Sequence, residues 1–172
     1  MAFTVWLTGL PGAGKSTISS LLTSRLADRG VVVARLDGDE VRREALYNLG
    51  FSRSDRDTNI RVIGFVAATL NRHGVPAVVS VISPYRETRA EVRKKIDRFI
   101  EVYVRCPVEI CIQRDPKGLY KKALAGEISG MTGLDDPYEE PEEPEIVVST
   151  DRYSAEECAD QILAYLEQED LI

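Results

Sequence analysis

Gly9-Leu10-Pro11-Gly12-Ala13-Gly14-Lys15-Ser16-Thr17 sets three glycines, one ammonium and two hydroxyls in a single short run. Glycines belong where backbone N–H groups must turn toward phosphate oxygens with no Cβ in the way. The spacing is G-x-x-x-x-G-K-[ST], in which Lys15 reaches β- and γ-phosphates and the Ser16 hydroxyl ligates Mg²⁺. A helix starting behind the run turns its positive N-terminus toward the same anion. The competing reading is a structural Gly-rich turn. An apolar strand-like run before the motif and a helical pattern after it decide for nucleotide phosphate binding.

Asp37-Gly38-Asp39 closes the next strand-like run. Two carboxylates facing the loop there suit a Mg²⁺–water shell, with Asp37 beside Ser16, and a base near an attacking hydroxyl, the task given to Asp39. The alternative for Asp37 is capping the helix that begins near Glu40. His73 is the sole histidine and precedes Gly74 at an expected helix end, so it reads as solvated, and mechanisms that need a His base or a His-rich metal site are excluded. No N-K-x-D run reads guanine, and the third strand-like run ends in Ser83-Pro84 and not in an acid, which disfavours a switch GTPase and a motor ATPase. A small nucleoside-triphosphate kinase remains.

The elements that must position these groups alternate. Short, apolar, β-branched runs at 3–8, 31–36, 77–82, 101–105 and 146–149 read as strands buried on both faces. Between them, Ile18, Leu21, Leu22 and Leu26 make an apolar helical stripe stopped by Gly30. Further helices fit 40–49, 55–73, 87–97, 108–114, 120–125 and 155–168, with Ser52 and Ser54 both candidate caps for the third. The expectation is an α/β, three-layer P-loop kinase fold: a five-stranded, mostly parallel sheet with helices on both faces, forming one domain over 1–172. Ligands of such sheets bind beyond the carboxyl ends of the strands.

The net charge of −6 is local: 135–145 holds seven acidic residues and no base. Removing those seven from 28 leaves 21 acids against 22 bases, so the rest of the chain can build a cationic cleft. The acidic stretch reads as a solvated, Pro-interrupted surface segment. Cys106, Cys111 and Cys158 form no C-x-x-C pair and are expected to be reduced structural thiols in a cytoplasmic protein. The first residues read as a strand and not as a signal peptide, and no apolar run approaches the length of a membrane span. No basic stripe lies outside the cleft, so no nucleic-acid partner is expected.

With these residues in hand, the chain resembles the adenylylsulfate kinase family essentially end to end. The carriers are the 9–17 loop, Leu36-Asp37-Gly38-Asp39, Leu49-Gly50-Phe51-Ser52, Asp55-Arg56, Asn59-Ile60-Arg61, Ile82-Ser83-Pro84-Tyr85-Arg86, Lys117-Gly118-Leu119-Tyr120-Lys121 and Thr132-Gly133. The resemblance implies transfer of the ATP γ-phosphoryl group to the 3′-hydroxyl of adenosine 5′-phosphosulfate, with Mg²⁺. It implies that Arg42, Phe51, Arg56 and Asn59 hold the acceptor, that Ile82, Ser83, Lys117, Gly118 and Leu119 close over it, and that Arg114 and Thr150 lie near the ATP adenine. A lid over about 115–133, rich in Lys and Gly, and a homodimer go with it. From pattern alone, Arg42, Arg56 and Arg61 are equally solvent-facing helix charges, Phe51 is equally core, and Tyr120 and Lys121 equally belong to a surface helix. Met131 replaces the family's second aromatic wall, leaving Phe51 as the one ring against the acceptor adenine. Ser83 stands where the family resemblance carries a phosphoserine role. No base adjoins it in sequence, so direct in-line transfer is the expectation. The alternatives from the residues are another P-loop kinase of small metabolites and a non-catalytic nucleotide-binding module.

Overall fold

A computed structural model describes residues 2–172. Its elements run β1 (Thr4–Thr8), α1 (Lys15–Asp28), β2 (Ala34–Asp37), α2 (Gly38–Ala45), α3 (Arg53–Arg72), β3 (Ala77–Ser80), α4 (Arg86–Arg93), β4 (Phe99–Arg105), α5 (Val108–Arg114), α6 (Leu119–Leu124), β5 (Ile146–Ser149) and α7 (Ala155–Gln168). All strand pairs are parallel in the order β2-β3-β1-β4-β5. Each crossover therefore carries a helix, and both sheet faces are covered.

β1 is central and buried at every residue, and its period-2 alternation separates two cores. Phe3, Val5 and Leu7 pack with Ile18, Leu22 and Leu26 of α1 and Ile162 and Leu166 of α7. Trp6 turns to the other face, against Ile60, Ile63 and Ala67 of α3, Val92 of α4 and Phe99 of β4. Between α3 and α4 a Cβ on Gly64 would lie 2.7 Å from Val92, so glycine permits their close approach.

Several boundaries differ from the sequence pattern for local reasons. β2 starts at Ala34 and not at 31, because its only partner, β3, starts at Ala77 after Pro76, which has no N–H for the ladder. α2 stops at Ala45 and not at 49, since Arg42 Nη1 donates to the carbonyl of Gly50 (2.5 Å) and folds the following segment back. Of the two candidate caps on α3, Ser52 is used, in a reciprocal capping box with Asp55. α4 begins one residue early and ends at Arg93, four residues short of the expected end.

The acidic stretch is the largest correction. It is not simply solvated. Glu145 accepts from Arg93 (2.6 Å) and from the Glu101 amide (2.6 Å), Asp136 pairs with Arg56 (3.2 Å), and Arg86 and Arg89 donate to the Glu140 and Glu139 carbonyls (2.7 and 2.6 Å). Arginines of α3 and α4, distant in sequence, give these carboxylates and carbonyls partners, which is why the segment lies against the body.

Candidate active site

At the carboxyl end of β1 the chain turns into the glycine loop. A Cβ on Gly9 would lie 2.5 Å from the Val104 carbonyl oxygen of β4, so this position admits only glycine. Lys15, the first residue of α1, is 8% exposed, and its Nζ donates to the carbonyls of Gly9 (2.9 Å) and Leu10 (2.7 Å). Burial pushes its ammonium down to about 8, against the opposing pull of Asp39. Beneath the loop Cys111 backs Gly12, with burial driving its thiol up to about 12, so it is an inert packing group.

Ser16 Oγ donates to Asp37 Oδ2 (2.9 Å). The other Asp37 oxygen accepts the Asp39 and Glu40 amides (3.0 and 3.4 Å) and caps α2. The capping reading of Asp37 therefore holds, and its other oxygen is turned to Ser16 of the loop. Asp39 is ion-paired to Lys117 across the mouth of the cleft.

Opposite the loop, the Arg42 guanidinium lies 4.8 Å from the centroid of the Phe51 ring. Phe51 is 68% exposed, which removes the reading of it as core. Arg56 Nε donates to the Phe51 carbonyl (2.9 Å), and its two terminal nitrogens bond Thr132 Oγ1 and the Gly130 carbonyl. Asn59, 7% exposed, has its Oδ1 buried with no hydrogen-bond partner. Arg61, by contrast, pairs with Glu91 (2.7 Å) on the outer surface and takes no part in the cleft. Met131 is 7% exposed and packs in the α1/α7-side core while also lining the cleft. Arg114 donates to the Thr150 carbonyl (2.5 Å) and hydroxyl (3.2 Å), and the Thr150 hydroxyl donates to the Ala13 carbonyl (2.8 Å).

One cleft of about 830 Å³ joins these groups, toward the upper end of the roughly 300–1,000 Å³ usual for small-molecule sites. Of the candidate site residues, Gly9, Leu10 and Gly118 do not line it, whereas Pro11 to Thr17, Asp37, Asp39, Ile82, Ser83, Lys117 and Leu119 do. Ser83 is 1% exposed, with its hydroxyl donating to Thr8 Oγ1 (3.0 Å) and accepting from Trp6 Nε1 (3.1 Å). Its proton and one lone pair are held by packing partners and no base adjoins it, which gives no support to a covalent role.

Sequence reasoning missed several contributors. Tyr120 is buried, and its hydroxyl donates to the Pro11 carbonyl (2.8 Å), so it belongs to the loop's support and not to a surface helix. Asp115 caps α6 through the Tyr120 and Lys121 amides (3.1 and 2.9 Å). Thr132, Thr8, Arg89 and Tyr138 also brace the cleft walls. Tyr120 and Thr132 stood within the motifs that carried the family resemblance, without an assigned role, and Tyr138 showed as an isolated aromatic within an acidic run.

A polyphosphate grip faced by an arginine-bearing wall across one cleft, above a parallel sheet, is the layout of the P-loop kinases, and this chain is one of them. The family model for adenylylsulphate kinase matches residues 1–149. An adenylyl-sulfate kinase of Synechococcus sp. (strain JA-3-3Ab) is 56% identical over 163 residues, covering 95% of this chain and 93% of its own. One from Chloroflexus aurantiacus is 55% identical over 168 residues, covering 98% and 90%. The solved structure of the Mycobacterium tuberculosis APS kinase in complex with AMPPNP and APS superposes with a TM-score of 0.92 at 42% identity, covering 96% of this chain and 98% of that one. The chain belongs to the adenylylsulphate kinase family.

If Lys15 grips the phosphates of a nucleotide, its lowered ammonium makes that affinity pH-dependent. A polyphosphate binds the ammonium form, so affinity is flat below the free-protein value and falls as pH rises through about 8. Titration of a non-hydrolysable ATP analogue should show about a tenfold loss between pH 7 and pH 9. Equal affinity at both values would place the lysine's titration elsewhere.

Proposed function

We propose that this chain transfers the γ-phosphoryl group of ATP to the 3′-hydroxyl of adenosine 5′-phosphosulfate, giving the 3′-phosphorylated sulfate donor. The observation that carries it is the continuity of the cleft. The glycine loop and the Arg42–Phe51–Asn59 wall face the same space, with Asp39 and Lys117 between them.

In this reading Lys15 and the loop amides grip the β- and γ-phosphates, while Arg114 and Thr150 flank the adenine. Arg42, Phe51, Arg56 and Asn59 hold the acceptor, and the unpartnered Oδ1 of Asn59 accepts from it. Lys117 trades Asp39 for developing phosphate charge, which frees Asp39 to orient the attacking hydroxyl. Residues 115–133 close as a lid that excludes water, with Arg56 anchoring its far end. Positioning and charge complementarity supply nearly all the catalysis in this reaction class.

Ser16 and Asp37 fit a hard divalent cation: a hydroxyl and a carboxylate oxygen stand 2.9 Å apart at the loop mouth. Among the described residues no group of three or more His, Cys, Asp or Glu side chains is placed to cage a metal. That suits Mg²⁺, which keeps waters and phosphate oxygens as its other ligands. When bound it neutralises charge on the transferring group.

Incubation with ATP, Mg²⁺ and adenosine 5′-phosphosulfate, followed by phosphorus NMR, should show a new 3′-phosphomonoester. Turnover of a sugar acid or a nucleoside monophosphate in its place would overturn the acceptor assignment. ATP binding without any turnover would leave a binding module.

Among the described residues no helix is long and apolar enough to cross a membrane. A cytoplasmic setting follows in this proposal from the three free, buried thiols and the need for ATP; recovery from a membrane or extracellular fraction would contradict it. The corresponding proposal for assembly is a homodimer, which a monomer mass by light scattering would refute.

The acceptor wall makes a paired prediction. The Phe51 ring is already exposed, so Phe51→Ala should leave the melting temperature unchanged and weaken acceptor binding about tenfold, roughly 1.4 kcal/mol. Met131 is buried, so Met131→Ala should cost about 2–5 kcal/mol of stability and less acceptor affinity than Phe51→Ala. Acceptor titrations and thermal melts of both variants check it, and an early-melting Phe51→Ala would contradict the wall.

A further inference from the structure

Thr8 ends β1 and immediately precedes Gly9 of the phosphate loop. It is fully buried behind the cleft. Its hydroxyl donates to the Ile82 carbonyl (2.6 Å), accepts from Ser83 Oγ (3.0 Å) and meets the Tyr138 hydroxyl at 2.9 Å. A hydroxyl has one proton and two lone pairs. With its proton on Ile82, Thr8 must accept from Tyr138, and every valence is then used.

These bonds converge on a strained turn. Ser83 has φ +41°, in the left-handed region that non-glycine residues rarely occupy. Such a conformation persists only where its surroundings over-determine it. Here Trp6 Nε1 holds the Ser83 hydroxyl (3.1 Å), and Arg89 Nη1 holds its carbonyl (2.6 Å). Arg89 is itself buried in an ion pair with Glu101 (2.9 Å) and donates to the Glu139 carbonyl (2.6 Å), next to Tyr138. The acidic segment, which meets the site elsewhere through the Asp136–Arg56 pair, reaches this turn through Tyr138.

We propose that Thr8 and Tyr138 are positioning residues for the phosphoryl transfer: their shared hydroxyl network fixes the spacing between the phosphate loop and the Ser83 turn. Neither side chain lines the cleft. Thr8 is covalently joined to the donor-side loop and hydrogen-bonded to the acceptor-side turn, so the network acts as a spacer between the two reacting groups. Phosphoryl transfer depends on in-line alignment, and small misplacements at the reacting atoms cost large factors in rate. The inference rests on the kinase reading above, and it assigns residues that reading did not use.

The test is steady-state turnover with ATP and adenosine 5′-phosphosulfate for the parent, Tyr138→Phe, Thr8→Val and Thr8→Ser, with melts and nucleotide affinities alongside. Tyr138→Phe removes one hydroxyl from a half-buried ring and should lower kcat about 5- to 20-fold, with KM for both substrates within about twofold. Thr8→Val should lose more, and Thr8→Ser, which keeps the hydroxyl, should return close to the parent. If Thr8→Val does not fold, Tyr138→Phe and Thr8→Ser decide. A folded Tyr138→Phe with the parent's kcat, even one that melts earlier, marks a merely structural network and overturns the proposal. So does a Thr8→Ser enzyme that is folded and as slow as Thr8→Val or Tyr138→Phe. An inactive parent overturns the kinase reading and this inference together, whereas an active parent with unaffected variants overturns this inference alone.

Discussion

Lys15→Ala should lower kcat by about 100-fold or more while melting close to the parent temperature. The rate loss is the scale of removing one preorganised charged donor from a transition state whose charge spreads over three phosphoryl oxygens. The unchanged melt follows from how the lysine is held. Its Nζ bonds two carbonyls of its own loop, Gly9 and Leu10, and ties no distant elements together. Burial already disfavours its charge, pushing it down to about 8, so the folded state loses little when the ammonium goes. Ala is also the best helix former for the first residue of α1. Single-turnover kinetics with a thermal melt separate the two effects. Near-parental turnover from a folded variant would remove Lys15 from the chemistry, and a collapse in stability with turnover per folded molecule preserved would make it structural.

The parts of this molecule legible in its sequence are those written locally. Glycine spacing, strand-length apolar runs and the α1 stripe each occupy a short window, and period and punctuation suffice to read them. Asp37 was legible as a cap because a carboxylate at a strand end before a helix is a local signal, and one oxygen caps α2 while the other meets Ser16. Pairings across long separations were not legible. Lys117 meets Asp39 from 78 residues away, and Arg89 reaches Glu139 across 50. A run of seven acids looks solvated until the arginines of α4 and β4's Glu101 are known to lie beneath it. The left-handed Ser83 was equally hidden, since a serine before proline carries no local demand for positive φ. Cleft-bracing groups such as Thr8 and Tyr120 look like ordinary strand and helix residues in sequence, and only tertiary packing gives their hydroxyls a task.

Arg56→Ala should weaken binding of adenosine 5′-phosphosulfate by about 1.5–3 kcal/mol, the worth of hydrogen bonds to a charged group, and leave ATP affinity nearly unchanged. The sequence reading placed Arg56 directly against the acceptor. In the structure its donors are shared among the Phe51 carbonyl, Thr132, the Gly130 carbonyl and Asp136. It therefore joins the wall that carries the Phe51 ring to the end of the 115–133 segment. Removing it both deletes a cation and releases that joint, so the loss at the acceptor has two sources. Limited proteolysis tells them apart. Faster cutting within residues 126–130, relieved by saturating acceptor, would show that part of the loss passes through lid order. An unchanged cutting rate with the same affinity loss would assign all of it to direct contact. Distance from the glycine loop predicts the ATP result: Arg56 bonds no loop residue, and its partners all lie on the acceptor side. Equal losses for both nucleotides would mean that Arg56 supports the whole cleft and does not select the acceptor.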